Sequence, residues 1–355
     1  MNILIMAGGT GGHVYPALAV AELLQAQGHQ VRWLGTPDSF EARVVPQHGI
    51  PLDTLSAQRL RGQHLWAKLC ALLGTVKACW QARRILRHQS PHVVLGMGGF
   101  AAGPGGIAAA WLRIPLVIHE QNAIPGFTNR WLARYATRVL TAFPQSFPAT
   151  HQAKVVGNPL RAGLDQVPPL AKTTQQPLRL LILGGSLGAQ ALNDIVPQAI
   201  AHIPEEKRPQ IQHQAGRGKQ TAAQAAYQNL NVQAEVVDYI TDMAAAYTQA
   251  DLVICRSGAL TVTELTAVGR PAILVPYPHA VDDHQTQNAA ALVQAGAAKL
   301  IPQKDLTPER IAAQIHTYLQ NPDTLNQMAA QARRIATPQA AEQVATHCIQ
   351  VAQCS

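Results

Sequence analysis

Short β-rich runs alternate with stretches of helical spacing along most of the chain. Residues 3–7, 30–34, 93–95, 116–118 and 139–140 read as strands in the first half, and 180–183, 211–214, 234–237, 252–255 and 272–275 in the second. Such alternation predicts parallel sheets covered by helices. The pattern pauses at Val156-Gly157-Asn158-Pro159 and resumes after the Pro- and polar-rich stretch 167–177, so a boundary between two doubly wound α/β units falls near residue 160. Each unit opens alike, with an apolar strand running into a glycine-rich turn: Gly8-Gly9-Thr10-Gly11-Gly12 in one, Gly184-Gly185-Ser186-Leu187-Gly188 in the other. In open α/β sheets ligands sit beyond the carboxyl ends of the strands, so two such units facing each other would make a cleft where two substrates meet.

At 355 residues and 47% hydrophobic content the chain can fill two ordinary cores. Residues 1–7 are too short for the apolar part of a signal peptide, lack a basic lead and run into glycines, so secretion is not expected. The longest uncharged stretch, 93–112, has the length of a membrane span, but its six glycines and Pro104 suit a strand, a loop and a helix start. No transmembrane helix is expected. Five scattered cysteines (Cys70, Cys79, Cys255, Cys348, Cys354) without a CxxC pair suggest neither a disulfide framework nor a zinc site, and fit a reducing compartment.

The net charge of +8 is unevenly placed. Residues 1–160 carry 14 Lys and Arg against 5 Asp and Glu, whereas residues 161–355 carry 14 against 15. Between Asp53 and Asp165 the only acidic residue is Glu120, among thirteen cations that include Arg59, Arg61, Lys68, Lys77, Arg83, Arg84 and Arg87. A solvated basic face, nucleic acid or an anionic membrane would each account for this. The segment 64–88 favours the membrane, because Leu65, Leu69, Leu72, Val76 and Trp80 recur at helical spacing among the cations. The same stripe also fits the core-facing side of an ordinary helix. Nucleic acid is disfavoured by an aromatic content of 5% and the lack of a recognition module.

Gly8-Gly9-Thr10-Gly11-Gly12-His13 lets backbone N–H groups approach an anion at a helix start, and equally suits a tight packing turn. Its spacing is not GxGxxG, and no acidic residue ends the second strand at Trp33-Leu34-Gly35, which disfavours a nicotinamide dinucleotide. His13, in the first helical turn, is a candidate general base or a simple surface residue. In the segment 252–264 a strand, a Ser257-Gly258 turn and a helix start could cradle a diphosphate, with Arg256 adding charge. Glu264 could accept ribose hydroxyls, though Thr261-x-x-Glu264 also reads as a capping box. The polar cluster Asp282-Asp283-His284-Gln285-Thr286-Gln287-Asn288 could bind sugar hydroxyls. Metal binding there by Asp282, Asp283, His279 and His284 is not expected, since the aspartates lack a DxD spacing and an N-cap explains them.

Taken together, Gly8 to His13, Gly96-Met97-Gly98-Gly99-Phe100 with Gly103-Pro104-Gly105-Gly106, His119-Glu120-Gln121-Asn122, Gly157-Asn158-Pro159, Gly184-Gly185-Ser186-Leu187-Gly188-Ala189, Arg256-Ser257-Gly258-Ala259-Leu260-Thr261 with Glu264, and His284-Gln285 with Asn288 closely resemble the bacterial MurG family, nearly end to end. The resemblance implies a GT-B fold: two Rossmann-like domains, 1–160 binding the acceptor and the membrane and 161–338 binding the donor, with 339–355 crossing back as a final helix. It implies inverting transfer of N-acetylglucosamine (GlcNAc) from UDP-GlcNAc to the C4 hydroxyl of undecaprenyl-pyrophosphoryl-N-acetylmuramoyl-pentapeptide, giving a β-1,4 linkage. No cofactor or metal is implied. Donor contacts carried over are Ser186, Ile240, Ala259, Leu260, Thr261, Val262, Thr263, Glu264 on the ribose and Gln285 on the sugar, with Thr10, Gly11, Gly12, Asn122 and Arg161 from the first domain. Arg256 and Asn288 are auxiliary. His13 is the expected base, with Glu120 and Asn122 positioning. Peripheral attachment to the cytoplasmic face of the inner membrane is implied, with cell-wall synthesis proteins as partners. Lys68, Lys77, Cys79 and Gln81 are expected to interrupt the apolar docking patch. Alternatives are a non-hydrolysing UDP-sugar epimerase and a catalytically silent nucleotide-sugar-binding subunit.

Overall fold

The computed structural model describes residues 1–56, 65–170 and 177–354, with backbone alone for 65–73. The chain forms two compact units, Met1–Arg161 with Gln339–Ser355, and Ala162–Pro338. The first unit runs β1 (Asn2–Met6), α1 (Gly11–Ala26), β2 (Gln30–Gly35), α2 (Phe40–Val44), β3 (Leu52–Thr54), α3 (Leu65–Gln89), β4 (Val93–Gly96), α4 (Ala102–Trp111), β5 (Leu116–Glu120), α5 (Phe127–Leu132), β6 (Arg138–Thr141) and β7 (Lys154–Val155). The second runs β8 (Arg179–Leu183), α6 (Gln190–Ala201), β9 (Gln210–Gln214), α7 (Gln220–Gln228), β10 (Glu235–Val237), α8 (Met243–Gln249), β11 (Leu252–Cys255), α9 (Ala259–Val268), β12 (Ala272–Leu274), α10 (His284–Gln294), β13 (Ala298–Leu300), α11 (Pro308–Gln320) and α12 (Asp323–Arg334). The last helix, α13 (Ala340–Gln353), belongs to the first unit.

Both sheets are wholly parallel, in the orders β3-β2-β1-β4-β5-β6-β7 and β10-β9-β8-β11-β12-β13. The ten strands read from the sequence are all present. The three it missed, β3, β7 and β13, are edge strands of two or three residues. An edge strand has one neighbour and partial solvent contact, so Leu52-Asp53-Thr54 and Ala298-Lys299-Leu300 carry no continuous apolar run.

Burial of the central strands on both faces follows from the period-two alternation of side chains. Ile3 and Ile5 pack with Val14, Leu18, Val344 and Cys348, under α1 and α13. Leu4 and Met6 pack on the opposite face with Ala82, Leu86, Ala108 and Leu132, under α3, α4 and α5. In the second unit Leu180 and Ile182 pack with Val196, Ile200, Ile311 and Ile315 from α6 and α11. The uncharged stretch 93–112 resolves into β4, a turn and α4, and among the described residues no helix is long and apolar enough to cross a membrane.

On α3 the core face is Ala78, Cys79, Ala82 and Leu86, all buried, while Val76 and Trp80 of the apolar stripe are exposed. For this part of the helix the stripe is therefore not the core-facing side. Cys79 does not interrupt the exposed patch because it lies on the buried face, and Gln81 is tied to Ser56 through N–H and hydroxyl bonds. Arg59 and Arg61, and the side chains of Leu65, Lys68, Leu69, Cys70 and Leu72, lie outside the described residues.

Candidate active site

In each sheet the strand order reverses once, between β1 and β4 and between β8 and β11, where the loops leaving neighbouring strands diverge and open a crevice. The glycine-rich motifs follow these four strands. In the first unit, Trp33 is fully buried and its indole N–H donates to Ala7 O at 2.8 Å, fixing the end of β1 where the turn begins. Gly9, Gly98 and Gly99 have φ values of 97°, 96° and 88°, a region L side chains rarely enter. A Cβ on Gly99 would lie 2.4 Å from Gly8 O, so the turns after β1 and β4 pack backbone to backbone.

His13 lies in the first turn of α1 above this contact. Its Nδ1 is 3.1 Å from Gly8 O, and a carbonyl oxygen only accepts, so Nδ1 carries the hydrogen and the neutral ring keeps its lone pair on Nε2. The imidazole lies against Gly98, where a Cβ would come 3.1 Å from Cδ2 and Nε2. Thr10, the residue before α1, makes no side-chain cap, so the amides of Gly11 and Gly12 open the helix. A Cβ on Gly11 would meet the Tyr15 ring, and the Arg161 guanidinium stacks on that ring at 3.9 Å. Arg161 is thus held on the Tyr15 ring, the neighbour of Gly11.

The loop after β5 is built by Glu120. Its Oε1 accepts from the N–H and Nδ2 of Asn122 at 2.9 and 3.0 Å, and its Oε2 from Gly126 N–H and Asn129 Nδ2. The carboxylate is 2% exposed and its work is to hold Asn122. Gln121 Nε2 donates to Met97 O, joining this loop to the turn beside His13. Neighbouring His119 is fully buried and donates from Nε2 to Gly157 O at 2.8 Å. Burial lowers its pKa to about 4, despite that bond and the nearby Glu120 charge.

Sequence reasoning missed Glu41. No acid ends β2, but Glu41 in α2 returns to the turn, accepting from Gly9 N–H at 3.0 Å and from Thr36 N–H and hydroxyl. Space for it exists because Gly8 and Gly35 lack a Cβ that would come 2.6 Å from Oε1 and 2.8 Å from Cγ. The one signal in the sequence was Gly35 closing β2 directly after Trp33 and Leu34.

In the second unit Ser186 sits in the turn after β8, its carbonyl accepting from Arg217 N–H at 3.2 Å. Gly188 and Gly216 touch directly, since a Cβ on Gly216 would lie 2.2 Å from Gly188 Cα. Ile240 N–H donates to Gln214 Oε1, which fixes the loop after β10. Beyond β11, Gly258 precedes α9 without a side-chain cap, and the amides of Ala259, Leu260 and Thr261 open this ten-residue helix. Val262 is buried and the Thr263 hydroxyl is spent on Ala259 O. Glu264 is 2% exposed and accepts from Tyr247 Oη at 2.9 Å. Gln285 Oε1 accepts from Tyr277 N–H, which presents the amide nitrogen as its donor end.

Two capping expectations, at Thr261 and Asp283, are corrected. Thr261 is the third residue of α9 and not its cap, so Thr261-x-x-Glu264 is no capping box. Arg256 donates to the carbonyls of Val275 and Pro276 and to Gln303 Oε1, anchoring the segment that follows β12. Asp283 precedes α10 but caps no backbone amide; its carboxylate accepts from Thr286 Oγ1. Asn288 is fully buried and donates to Ser257 O, a clamp on the turn before α9. Among the described residues no three His, Cys, Asp or Glu are grouped to hold a metal.

Comparison with known proteins agrees with this architecture. Residues 3–141 match the glycosyltransferase family 28 N-terminal domain, and residues 179–344 the glycosyltransferase family 28 C-terminal domain. The UDP-N-acetylglucosamine--N-acetylmuramyl-(pentapeptide) pyrophosphoryl-undecaprenol N-acetylglucosamine transferase of Chromohalobacter salexigens is 52% identical over 98% of this chain and 96% of its own. The protein of the same name from Alkalilimnicola ehrlichii is 53% identical, covering 99% of each chain. The crystal structure of Acinetobacter baumannii MurG aligns with a TM-score of 0.82 at 43% identity, over 98% of this chain and 99% of that one. With both domains matched and half of all positions shared with such relatives over almost the full length, the chain belongs to the MurG family of glycosyltransferases, within glycosyltransferase family 28.

Proposed function

We propose that this enzyme transfers GlcNAc from UDP-GlcNAc to the C4 hydroxyl of undecaprenyl-pyrophosphoryl-N-acetylmuramoyl-pentapeptide (lipid I), producing lipid II for peptidoglycan. The observation that carries this reading is 52% identity across 98% of the chain to a transferase bearing that substrate pair in its name. The epimerase and silent-subunit alternatives have no comparable support.

In this reading the second unit holds the donor. The amides opening α9 at Ala259, Leu260 and Thr261, with Ser186, take the UDP pyrophosphate and stabilise the negative charge that grows as UDP leaves. Ile240 bounds the uracil end, Glu264 accepts the ribose hydroxyls while Tyr247 steadies its other oxygen, and Gln285 donates to the sugar. Val262 and Thr263 act as the helix wall behind these groups. The first unit supplies the chemistry on the acceptor. His13 Nε2 removes the proton from the C4 hydroxyl as that oxygen attacks the anomeric carbon; the C1–O bond to the diphosphate breaks and the configuration inverts. Gly11 and Gly12 offer amides to phosphate oxygens, Arg161 adds positive charge, and Asn122, held by Glu120, orients the sugars.

Peripheral docking on an anionic leaflet is assigned to the first unit. Trp80 on α3 and Trp111 on α4 are 60% and 56% exposed, Arg83 lies 5.5 Å from the Trp80 ring, and Lys77, Arg84 and Arg113 are nearby in the chain. The test is transfer of labelled GlcNAc to a short-chain analogue of lipid I with excess chelator present. Acceptor-dependent β-1,4 product is expected; donor binding or sugar interconversion without that product would sink the assignment.

A further inference from the structure

We propose that Glu41 acts on His13 through the peptide group joining Gly8 to Gly9, so that imidazole, amide and carboxylate form one hydrogen-bonded chain. The proposal rests on His13 being the base. The two ends of a single peptide unit are engaged from opposite sides: Gly8 O lies 3.1 Å from His13 Nδ1, and Gly9 N–H donates to Glu41 Oε2 at 3.0 Å. A carboxylate bound to an amide N–H draws that dipole toward itself and leaves more negative charge on the carbonyl oxygen, which becomes a stronger acceptor. The strengthened bond keeps the hydrogen on Nδ1, holds the lone pair on Nε2, and stabilises the imidazolium that forms when the acceptor proton arrives. In hydrolase triads a carboxylate does this to histidine directly; here it stands one peptide away.

The two oxygens of the carboxylate divide the work: Oε1 accepts from Thr36 and holds the end of β2, while Oε2 is given to Gly9 N–H. Glu41 is 1% exposed, and among the described residues no cation pairs with it. Burial pushes its carboxyl up, but the bonds from Gly9, Thr36 and Ser39 outweigh that effect and hold it below its ordinary value, so it is ionised at neutral pH. A neutral side chain would cap Gly9 without the cost of a buried charge. What the charge adds is polarisation of the Gly8–Gly9 peptide, and the group at the other end of that peptide is His13. Glu41 is thus a positioning residue that touches no substrate.

The test is a double-mutant cycle in the full-length enzyme with UDP-GlcNAc and a short-chain lipid I analogue. Glu41→Gln should lower kcat about tenfold, the loss of one charge-assisted bond's advantage, with donor KM within about twofold of the parent. In the His13→Ala background the same substitution should cost nothing further. An equal cost in both backgrounds, or full kcat in Glu41→Gln, overturns the proposal. Ring 15N shifts of labelled His13 supply a readout independent of turnover: the Nδ1–H tautomer should dominate the neutral ring in the parent and lose ground in Glu41→Gln, and an unchanged tautomer balance overturns the coupling. If His13→Ala turns over normally, the base assignment fails, and the 15N comparison alone decides whether the chain exists. Should Glu41→Gln not fold, Glu41→Asp, which keeps the charge but withdraws it from Gly9 by one methylene, is read in the same way.

Discussion

His13 carries the proton in the proposed reaction, and its orientation makes the consequence of removing it specific. His13→Ala should lower kcat by about 10²–10⁴ while UDP-GlcNAc affinity stays unchanged, because the proposed reaction gives the ring to the acceptor and not to the nucleotide. Near-normal turnover would remove His13 from the mechanism. Glu264 should behave in the opposite way. Glu264→Gln should weaken UDP binding by about ten- to a hundredfold in calorimetry, as a charged acceptor for ribose becomes neutral and Tyr247 loses its ionic partner; unchanged UDP affinity would take Glu264 out of the donor site. Both were legible as candidates, the histidine in the first turn of a helix and the glutamate one to two turns into another. The bonds of Arg256 to the carbonyls of Val275 and Pro276 were not legible, because a cation beside a helix start looks the same in sequence whatever it is bonded to.

Elements carry the binding surfaces. The first turns of α1 and α9 are left open by Thr10 and Gly258, which provide no side-chain cap, and it is these free amides to which the proposed function gives the phosphates. Helix α3 exposes Trp80, with Trp111 exposed on the adjoining α4, and these form the proposed docking face. Replacing both tryptophans by serine should reduce binding to vesicles rich in anionic lipid by about tenfold or more, given the apolar area each indole removes from water. Turnover with a water-soluble acceptor should be retained. Vesicle binding equal to the parent's would place the docking surface elsewhere. Periodicity alone left the α3 stripe open between core and membrane, since either environment accepts a leucine or tryptophan. The core was excluded for Val76 and Trp80 because α3 packs against the sheet through Ala82 and Leu86 instead.

At the scale of the whole molecule, each unit carries one deeply buried histidine whose pKa burial lowers to about 4: His119 in the first, His213 in the second. His213 lies between Tyr227 Oη at 2.9 Å and Asn193 Oδ1 at 3.0 Å, a network served by the neutral ring. In both cases the folded value is depressed below the unfolded one, so the unfolded chain binds the proton first. Stability is complete above about pH 6.5 and falls as pH drops toward 4, by about 3 kcal/mol for each histidine across that window. Denaturant unfolding from pH 7.5 to 4.5 should show this decline, and His213→Gln should flatten the part belonging to the second unit. A stability independent of pH across that range would mean the rings are not held neutral.

Apolar runs separated by helical stretches were enough to determine two parallel α/β sheets and the places where glycine turns end their central strands, because strands buried on both faces need unbroken hydrophobic stretches. The motifs themselves carried the family. Edge strands β3, β7 and β13 escaped because half-solvated pairs need no such pattern. What only tertiary structure decided is how charges and polar groups are spent: Glu41 on the Gly9 amide, Glu120 on Asn122, Asn288 on the turn before α9, Arg256 on carbonyls. A hydrogen bond depends on a few tenths of an ångström and on direction, between residues brought together by the fold, and no spacing along the chain encodes either.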